Sequence, residues 1–497
     1  MSRPPVRVCV PVCVRSLAEL EEACKRAGQW ADVIELRLDC LDDLDFEIEA
    51  FVNKLSRPII LTLRSKEQGG YRDVGRPERE AFWAGIGAFC ESLCDIEAEL
   101  VLESSLDSAK SLLDWPRVIV SHHDFNGVPD DLDEIYGRLA ATPAGIVKIA
   151  VHANDITDCI RIFDLLERAR REQRELIPIA MGNAGIATRI LGPARGAYLT
   201  YGSLEDDSAT APGQVNARQL RSVYRIDEID RETMICGLIG LPVMHSVSPH
   251  MHNAAFAVEG MNGVYLPLEV RDVEPFVRRM VHPRTRELDW KLRGLSVTAP
   301  HKSSVMPLLD RIDPIAKEVG AVNTVLVEDQ ELHGYNTDVH GLIAPLRDRL
   351  GDLKDLRVAV IGAGGAARAA LWAFKRAEAN VTLFARAPGK ARSLAETFQV
   401  PCELLAAASF KGYDVVINAT PENPAEATQL AGAGLVYDLI YNPIETEFLK
   451  AAREAGCQTL GGLPMLVAQA RLQFELWTGK TPAAGVMHAA AAAALGE

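Results

Sequence analysis

The run Gly145-Ile-Val-Lys-Ile-Ala-Val151 sets one lysine inside an apolar, β-branched stretch of the kind that forms a buried strand. Strand side chains alternate between faces, so Lys148 shares its face with Ile146 and Ala150, while Val147, Ile149 and Val151 take the other. Burial there favours the uncharged amine, the nucleophile that Schiff-base chemistry on a ketone requires. A lysine that snorkels out of a strand end is the alternative, and this segment taken alone favours it. Other strand-like runs carry polar residues in the same alternation. Glu35 and Arg37 alternate with Ile34, Leu36 and Leu38, Thr62 and Arg64 with Leu61 and Leu63, and Ser121 and His123 with Val120 and His122.

A second chemistry-bearing pattern lies downstream. The strand-like Leu356–Ile361 runs directly into Gly362-Ala-Gly-Gly-Ala-Ala367 and a helical pattern. GxGxxA between strand and helix is a dinucleotide fingerprint, because the glycines allow a tight turn and close approach of a pyrophosphate. Gly362, Gly364, Gly365, Ala366 and Ala367 are therefore cofactor-binding candidates. The next strand, Asn380–Ala385, is followed by Arg386 and then Lys390. An acidic residue there would hold a ribose 2′-hydroxyl; two cations suit a 2′-phosphate, so NADP(H) is expected over NAD(H). For Lys390 a solvated loop charge is the alternative.

The elements that must position these residues follow from periodicity. Between Arg7 and Tyr201 there are eight short apolar strand candidates: Val8–Val14, Val33–Leu38, Ile59–Arg64, Leu93–Glu97, Arg117–Ser121, Ile146–Ala150, Leu176–Met181 and Ala197–Tyr201. Eight such strands alternating with helical segments predict a (β/α)8 barrel, whose chemistry sits at the C-terminal mouth of the strands. Glu35, Arg37, Arg64, His123 and Lys148 then converge on one cup, and Asp39 and Asp95 would orient Arg37 or His123. A short charged connector, Ile226–Glu232, separates this half from a strand at Met234–Ile239. The hydroxyl-rich turn that follows runs into a helix, where Ser246 and Ser248 could receive a carboxylate or, for one of them, cap the helix.

The motifs Ile34-Glu-Leu-Arg37, Leu63-Arg64 with Gly69-Gly70, Ser121-His-His-Asp-Phe125, Val147-Lys-Ile149 and Ala211-Pro-Gly-Gln214 together resemble type I 3-dehydroquinate dehydratase up to about Tyr224. The resemblance implies that Lys148 forms an imine with the C3 ketone of 3-dehydroquinate. His123 would remove the C2 proton, release the C1 hydroxyl as water and help hydrolyse the imine. It also implies that Arg189 binds the substrate carboxylate and that Glu35, Arg37 and Arg64 hold hydroxyls, with Thr210 and Gln214 closing over the ring. Thr210 stands where many members have serine, and Gln68 where some have glutamate.

From Ile235 to about Gly479 the chain resembles shikimate dehydrogenase. The motifs are His245-Ser-Val-Ser-Pro249, Gly294-Leu-Ser-Val-Thr-Ala-Pro-His-Lys302, Gly320-Ala-Val-Asn-Thr324 and Gly334-Tyr-Asn-Thr-Asp338. Asn418-Ala-Thr420, Tyr437-Asp-Leu-Ile-Tyr-Asn-Pro443 and Gly462-Leu-Pro-Met-Leu-Val-Ala-Gln469 follow. The resemblance implies a catalytic pair, Lys302 and Asp338, with Lys302 handling the proton at the C3 oxygen. Ser246, Ser248, Thr298, Asn323, Tyr441 and Gln469 would line the shikimate site, and Thr420 would border the cofactor. Ser296 stands where many members have asparagine, and Pro464 should start or bend the last substrate-binding helix.

The expected architecture is therefore α/β: an N-terminal TIM barrel, then a two-domain shikimate dehydrogenase-like unit with a Rossmann NADP-binding domain. The limits are 1–228 for the barrel, 233–342 completed by 461–497 for the substrate-binding domain, and 343–460 for the Rossmann domain. The two activities would be consecutive, since 3-dehydroshikimate is the product of one and the substrate of the other. The alternatives are an NAD-linked quinate/shikimate dehydrogenase in the second half, or a non-catalytic metabolite sensor that keeps both folds. A net charge of −15 argues against nucleic acid and anionic membranes as partners, leaving small molecules; a homo-oligomer is compatible with the chain. No apolar run approaches the ~20 residues of a membrane span. Ten cysteines scattered through core-like segments predict reduced, buried thiols and a cytoplasmic location, not a disulfide frame. The close histidines His245, His250 and His252 lack a matching carboxylate or cysteine set, so no metal is expected, and the dehydratase needs no cofactor beyond Lys148.

Overall fold

A computed structural model describes residues 6–44, 46–86, 92–103, 113–205 and 210–496, the side chains of Pro388 and Lys390 excepted. Two compact units result. One comprises Met1–Thr233, Leu266–Met280 and Arg286–Lys291, the other Met234–Tyr265, Val281–Thr285 and Leu292–Glu497.

In the first unit eight strands form one parallel sheet: β1 (Val8–Val12), β2 (Val33–Arg37), β3 (Ile59–Thr62), β4 (Leu93–Glu97), β5 (Val118–Asp124), β6 (Ile146–His152), β7 (Glu175–Met181) and β8 (Thr200–Tyr201). Their order is β7-β6-β5-β4-β3-β2-β1-β8. The backbone N–H of Tyr198, just ahead of β8, donates to the carbonyl of Leu176 in β7 at 2.8 Å and draws the two ends together into a barrel. Alternation sorts the interior into layers. Cys9, Val33, Ile60, Ile119, Ile146 and Ile177 form an apolar plug. The next residues of the same parity, Glu35, Thr62, Ser121 and Lys148, form a polar layer toward the C-terminal mouth, all buried. The helices between the strands carry ordinary local signals. Leu17–Ala27 opens with a reciprocal capping box between Ser16 and Glu19, and Cys159–Arg171 buries Ile160, Phe163 and Leu166 while gathering three arginines at its C-terminal end.

The remaining strands form two six-stranded sheets. The first uses β9 (Met234–Gly240), β10 (Gly263–Glu269), β11 (Leu292–Val297), β12 (Arg311–Ile312), β13 (Thr324–Glu328) and β14 (Glu331–Tyr335), in the order β10-β9-β11-β13-β14-β12. It is mixed: β11 runs parallel to β9 and antiparallel to β13. The second uses β15 (Arg357–Ile361), β16 (Asn380–Ala385), β17 (Cys402–Leu404), β18 (Val415–Asn418), β19 (Leu435–Asp438) and β20 (Gln458–Leu460). Its order β17-β16-β15-β18-β19-β20 is all parallel, with the reversal of strand order beside β15 that Rossmann-type folds use for ligands. Pro464 starts a helix, Leu463–Thr478, instead of bending one.

One expectation about cysteine is overturned. Cys13 and Cys40 form a disulfide. They lie just beyond the C-terminal ends of β1 and β2, which pair in register from Cys9↔Val33 to Val12↔Leu36, so the barrel itself brings them together. The other described cysteines are free, and all but Cys402 are buried.

Candidate active sites

At the mouth of the barrel a cavity is lined by Glu35, Arg37, Arg64, His123, Lys148, Arg189, Thr210 and Gln214, every residue the sequence assigns to this cup. Strand register does the positioning: Lys148 on β6 faces Ser121 on β5, and Asp95 on β4 faces Thr62 on β3. Lys148 is only 4 % exposed. It is not a stranded amine, as desolvation alone would leave it. Its Nζ donates to Asp95 Oδ2 at 2.8 Å and to the Tyr201 hydroxyl at 3.0 Å, with Glu35 Oε1 at 3.5 Å. Asp95 also takes Arg64 at 2.8 Å, so it balances Lys148 and Arg64; the expectation that it orients Arg37 or His123 is corrected. It neutralises two cations that would otherwise repel across the barrel. Although burial disfavours its charge, Arg64 and Lys148 hold the Asp95 carboxyl well below the usual carboxylate range.

Asp39 meets the expectation for its own partner: Arg37 donates to both its oxygens, at 2.9 and 2.8 Å, and to the Gly69 carbonyl at 3.1 Å. His123 is fixed through its backbone N–H, which donates to Gln68 Oε1 at 3.0 Å, and its ring stacks near Phe125. Burial, then the charges of Arg64 and Lys148, push His123 well below its ordinary range, so the ring is neutral, and its buried Nδ1 has no hydrogen-bond partner. Arg189 is 2 % exposed. One Nη donates to the Pro212 carbonyl at 3.3 Å, while Nε and the other Nη lack partners; burial brings the group down to about 10. A buried guanidinium in that condition suits an incoming anion. Thr210 and Gln214 bond each other: the Thr210 N–H donates to Gln214 Oε1 at 2.9 Å, and Gln214 Nε2 donates to the Thr210 hydroxyl at 3.2 Å. Tyr201 and Asp95 are the contacts to Lys148 that the sequence reading did not assign.

In the second unit Lys302 donates to Asp338 Oδ2 at 2.5 Å. Asn323 Nδ2 donates to the other Asp338 oxygen at 2.8 Å and lies 3.4 Å from Gln469 Oε1. Lys302, Asp338, Asn323 and Gln469 are thus one bonded cluster, assembled from the segment after β11, the start of the helix Asp338–Leu350, the residue before β13, and the helix Leu463–Thr478. Ser246 accepts the N–H of Ser248 at 3.2 Å at the start of the helix Ser248–Val258 and bonds the Tyr441 hydroxyl. Ser248 meets the Tyr265 hydroxyl. Thr298 follows β11, its N–H donating to Ile239 at 2.9 Å. Ser296 is turned into a buried chain, taking the Tyr265 hydroxyl and donating to Gln473, both at 2.7 Å.

The turn after β15 carries Gly362 and Gly364, and the helix Gly365–Arg376 opens with Gly365, Ala366 and Ala367. Gly362 has φ +119°, a conformation reserved for glycine, and a Cβ there would meet the Ala419 carbonyl at 2.9 Å beside Thr420. A Cβ on Gly364 would meet nothing within 4 Å, so open space lies over the first helical turn, which no side chain caps. A Cβ on Gly365 would stand 2.9 Å from Cδ of Lys302. Arg386 is paired with Glu422 at 2.6 Å on the surface, a partner absent from the sequence reading. Lys390 belongs to the helix Pro388–Phe398, and its side chain lies outside the described residues. Among the described residues no helix is long and apolar enough to cross a membrane, and no group of three or more metal-ligating side chains occurs.

Known proteins match both parts of the chain. Residues 8–231 match the type I 3-dehydroquinase family, 238–325 the shikimate dehydrogenase substrate binding domain, and 462–492 the shikimate 5′-dehydrogenase C-terminal domain. The bifunctional chloroplastic 3-dehydroquinate dehydratase/shikimate dehydrogenase of Arabidopsis thaliana is 34 % identical over 510 aligned positions, covering 96 % of this chain and 82 % of the relative. The shikimate biosynthesis protein AroDE of Chlamydia pneumoniae is 27 % identical, with 95 % of each chain covered. A shikimate dehydrogenase crystallised with NADP+ superposes with a TM-score of 0.50 at 37 % identity, covering 54 % of this chain and 98 % of its own. With both lysine-centred sites present and a similar bifunctional relative matched nearly end to end, the chain belongs to the bifunctional 3-dehydroquinate dehydratase/shikimate dehydrogenase family.

Proposed function

We propose that the chain catalyses two consecutive steps of the shikimate pathway: dehydration of 3-dehydroquinate through a lysine imine, then NADPH-dependent reduction of 3-dehydroshikimate to shikimate. The observation that carries this reading is that one chain holds both lysine clusters, Lys148 with His123 above a barrel plug and Lys302 with Asp338 beside a dinucleotide turn.

In the barrel, Lys148 attacks the ketone and the neutral His123, with a bare Nδ1, takes the C2 proton. The imine withdraws electrons from the adjacent carbon, and the same imidazole returns its proton to the departing C1 hydroxyl. Arg189 meets the substrate carboxylate with the donors it leaves unused, and Glu35, Arg37 and Arg64 position the ring under the Thr210–Gln214 pair.

In the second unit the residues fit a dinucleotide. The uncapped helix start at Gly365 and the open space over Gly364 suit a pyrophosphate, Thr420 borders the turn, and Arg386 with Lys390 would meet a 2′-phosphate. The dinucleotide supplies hydride. Lys302, oriented by Asp338, delivers the proton to the C3 oxygen, while Ser246, Ser248, Thr298, Asn323, Tyr441 and Gln469 hold the substrate. We assign 1–228 to the dehydratase, 233–342 with 461–497 to the substrate-binding part and 343–460 to the dinucleotide part; the parallel sheet β15–β20 supports the last of these limits. The test is a single coupled assay. Purified protein given 3-dehydroquinate and NADPH should form an ultraviolet-absorbing enone and consume nicotinamide absorbance, and Lys148→Ala should abolish the first step while leaving reduction of added 3-dehydroshikimate intact. Dehydration at wild-type rate by Lys148→Ala, or equal use of NADH, refutes the corresponding half.

A further inference from the structure

Tyr201 is buried at the mouth-side end of the short strand β8, opposite Lys148. Its hydroxyl lies 3.0 Å from Lys148 Nζ and 3.5 Å from Glu35 Oε1, and the ring centroid is 4.5 Å from the same nitrogen. The phenol therefore stands between the reacting amine and a carboxylate, as acceptor to one and donor to the other. We propose that Tyr201 is a catalytic residue of the dehydratase, relaying a proton from the Lys148 ammonium to Glu35 so that the amine can attack the substrate ketone. This inference rests on the imine reading of Lys148 above.

Two carboxylates compete for the proton, and their surroundings differ. Asp95 is nearer, but its Oδ2 is shared with Arg64 at 2.8 Å, which makes it a poor proton acceptor. Glu35 Oε1 instead takes a neutral hydroxyl from Thr62 at 2.8 Å and faces Lys148 as its ion-pair partner. The direct Lys148–Glu35 approach and the phenol–Glu35 leg are both 3.5 Å, but the phenol takes the ammonium proton across a shorter 3.0 Å bond and already points its own proton at Glu35. Burial, with Glu35 and Cys9 beside it, pushes the Tyr201 phenol well above its ordinary range. It stays neutral and keeps the proton it must donate while accepting another. The charged and titratable groups around the amine are Cys9 on β1, Glu35 on β2, Arg64 after β3, Asp95 on β4, His123 on β5 and Arg189.

The step balances. An ammonium proton passes to the Tyr201 oxygen while the phenolic proton passes to Glu35, leaving a neutral amine and a carboxylic acid. The amine lone pair forms the C–N bond as the carbonyl π pair moves to oxygen. That oxygen leaves as water with two protons, one from Glu35, which returns to the carboxylate, and one from the nitrogen, and the iminium keeps the last N–H.

Tyr201→Phe keeps the ring over the lysine and removes only the relay. The readout is the rate at which rapid-quench borohydride traps the 3-dehydroquinate adduct on Lys148, followed across pH, with the reductase rate of the full-length protein as the folding control. The expected result is a slowing of ~10²-fold near neutrality, the scale of a lost general acid–base group, that shrinks at high pH, where hydroxide can take the proton in place of the phenol. A wild-type trapping rate, or a slowing by the same factor at every pH, overturns the relay. Tyr201→3-fluorotyrosine provides a second variant of nearly unchanged shape: its more acidic phenol should shift the trapping profile along the pH axis, and an unshifted profile also overturns it. Should Lys148→Ala still dehydrate, or the wild-type adduct map elsewhere, it is the imine reading that fails, whatever Tyr201→Phe does.

Discussion

Lowering the pH from about 7.5 to about 5 should cost the second unit about 2 kcal/mol of stability through one residue, His252. This imidazole is fully buried on the helix Ser248–Val258, stacked on Tyr265 at 4.3 Å and flanked by Trp477 at 5.3 Å. Neither ring nitrogen has a hydrogen-bond partner, and burial pushes the group down to about 3. The folded value lies below the ordinary one of about 6.5, so below that pH the unfolded chain binds the extra proton and the folded chain refuses it. Stability is therefore intact at neutral pH and is lost progressively from about 6.5 down to about 3. At pH about 5 the loss depends almost wholly on the unfolded value, provided the folded one lies well beneath it. Hydrogen exchange of core amides in the helices Ser248–Val258 and Leu463–Thr478, corrected for intrinsic rates, reads the opening free energy where the ring packs. His252→Phe keeps an aromatic ring and removes the titration. Its opening free energy should fall less with pH than that of the wild type, by about 2 kcal/mol over this range. Parallel curves would show that the ring is protonated in the folded state, and the reasoning would be refuted.

Arg189→Met should raise the thermal midpoint of the barrel, since it removes a buried cation with unpartnered donors, yet weaken 3-dehydroquinate by ~10- to 150-fold, the equivalent of about 1.5–3 kcal/mol for a charged hydrogen bond. Stability measured by calorimetry and KM measured on the same sample must move in opposite senses; a fall in both contradicts the role. Lys302→Ala and Asp338→Asn should each lower reductase turnover by ~10²-fold with NADPH affinity by fluorescence titration largely kept. Loss of cofactor binding with turnover per complex intact contradicts the assignment. Arg386→Ala should weaken NADPH by ~10- to 150-fold and spare NADH, whereas Glu422→Gln, which frees Arg386 from an exposed pair worth ~0–1 kcal/mol, should tighten NADPH up to ~5-fold. Equal effects on both dinucleotides exclude a 2′-phosphate contact.

Alternation alone placed Glu35, Arg37, Arg64, His123 and Lys148 in one cup, because a strand of parallel barrel has only two faces and each run supplied a polar set for one of them. The dinucleotide turn was equally legible, since its glycines are demanded by backbone geometry and not by distant partners. What escaped were the pairings. Tyr201 shares the face of Leu199 in an apolar run, so its period was readable, but nothing local says that its hydroxyl meets a lysine 53 residues away. Asp95 is expected from sequence to orient Arg37 or His123, but its choice of Lys148 and Arg64 depends on barrel stagger. The Cys13–Cys40 bridge is a product of topology, which composition does not carry: two cysteines just past the ends of neighbouring parallel strands are spatial neighbours whatever the rest of the inventory suggests. Glu422 lies 36 residues beyond Arg386 and reaches it only because β18 runs beside β15, and β15 beside β16.

Gly365 opens the helix behind the cofactor turn, yet the atom a side chain would strike there is Cδ of Lys302, at 2.9 Å. Alanine would suit the first turn of a helix on propensity grounds, and the obstacle is a flexible stem and not backbone, so the chain would still fold. The lysine would give way, and its 2.5 Å contact with Asp338 would go with it. One missing methyl group thus acts as a mechanical interlock between the dinucleotide turn and the Lys302–Asp338 pair. Any redesign that fills the turn to change dinucleotide preference would detune the proton donor as well, and a library screened only for cofactor affinity would select enzymes that hold NADPH firmly and spend it slowly.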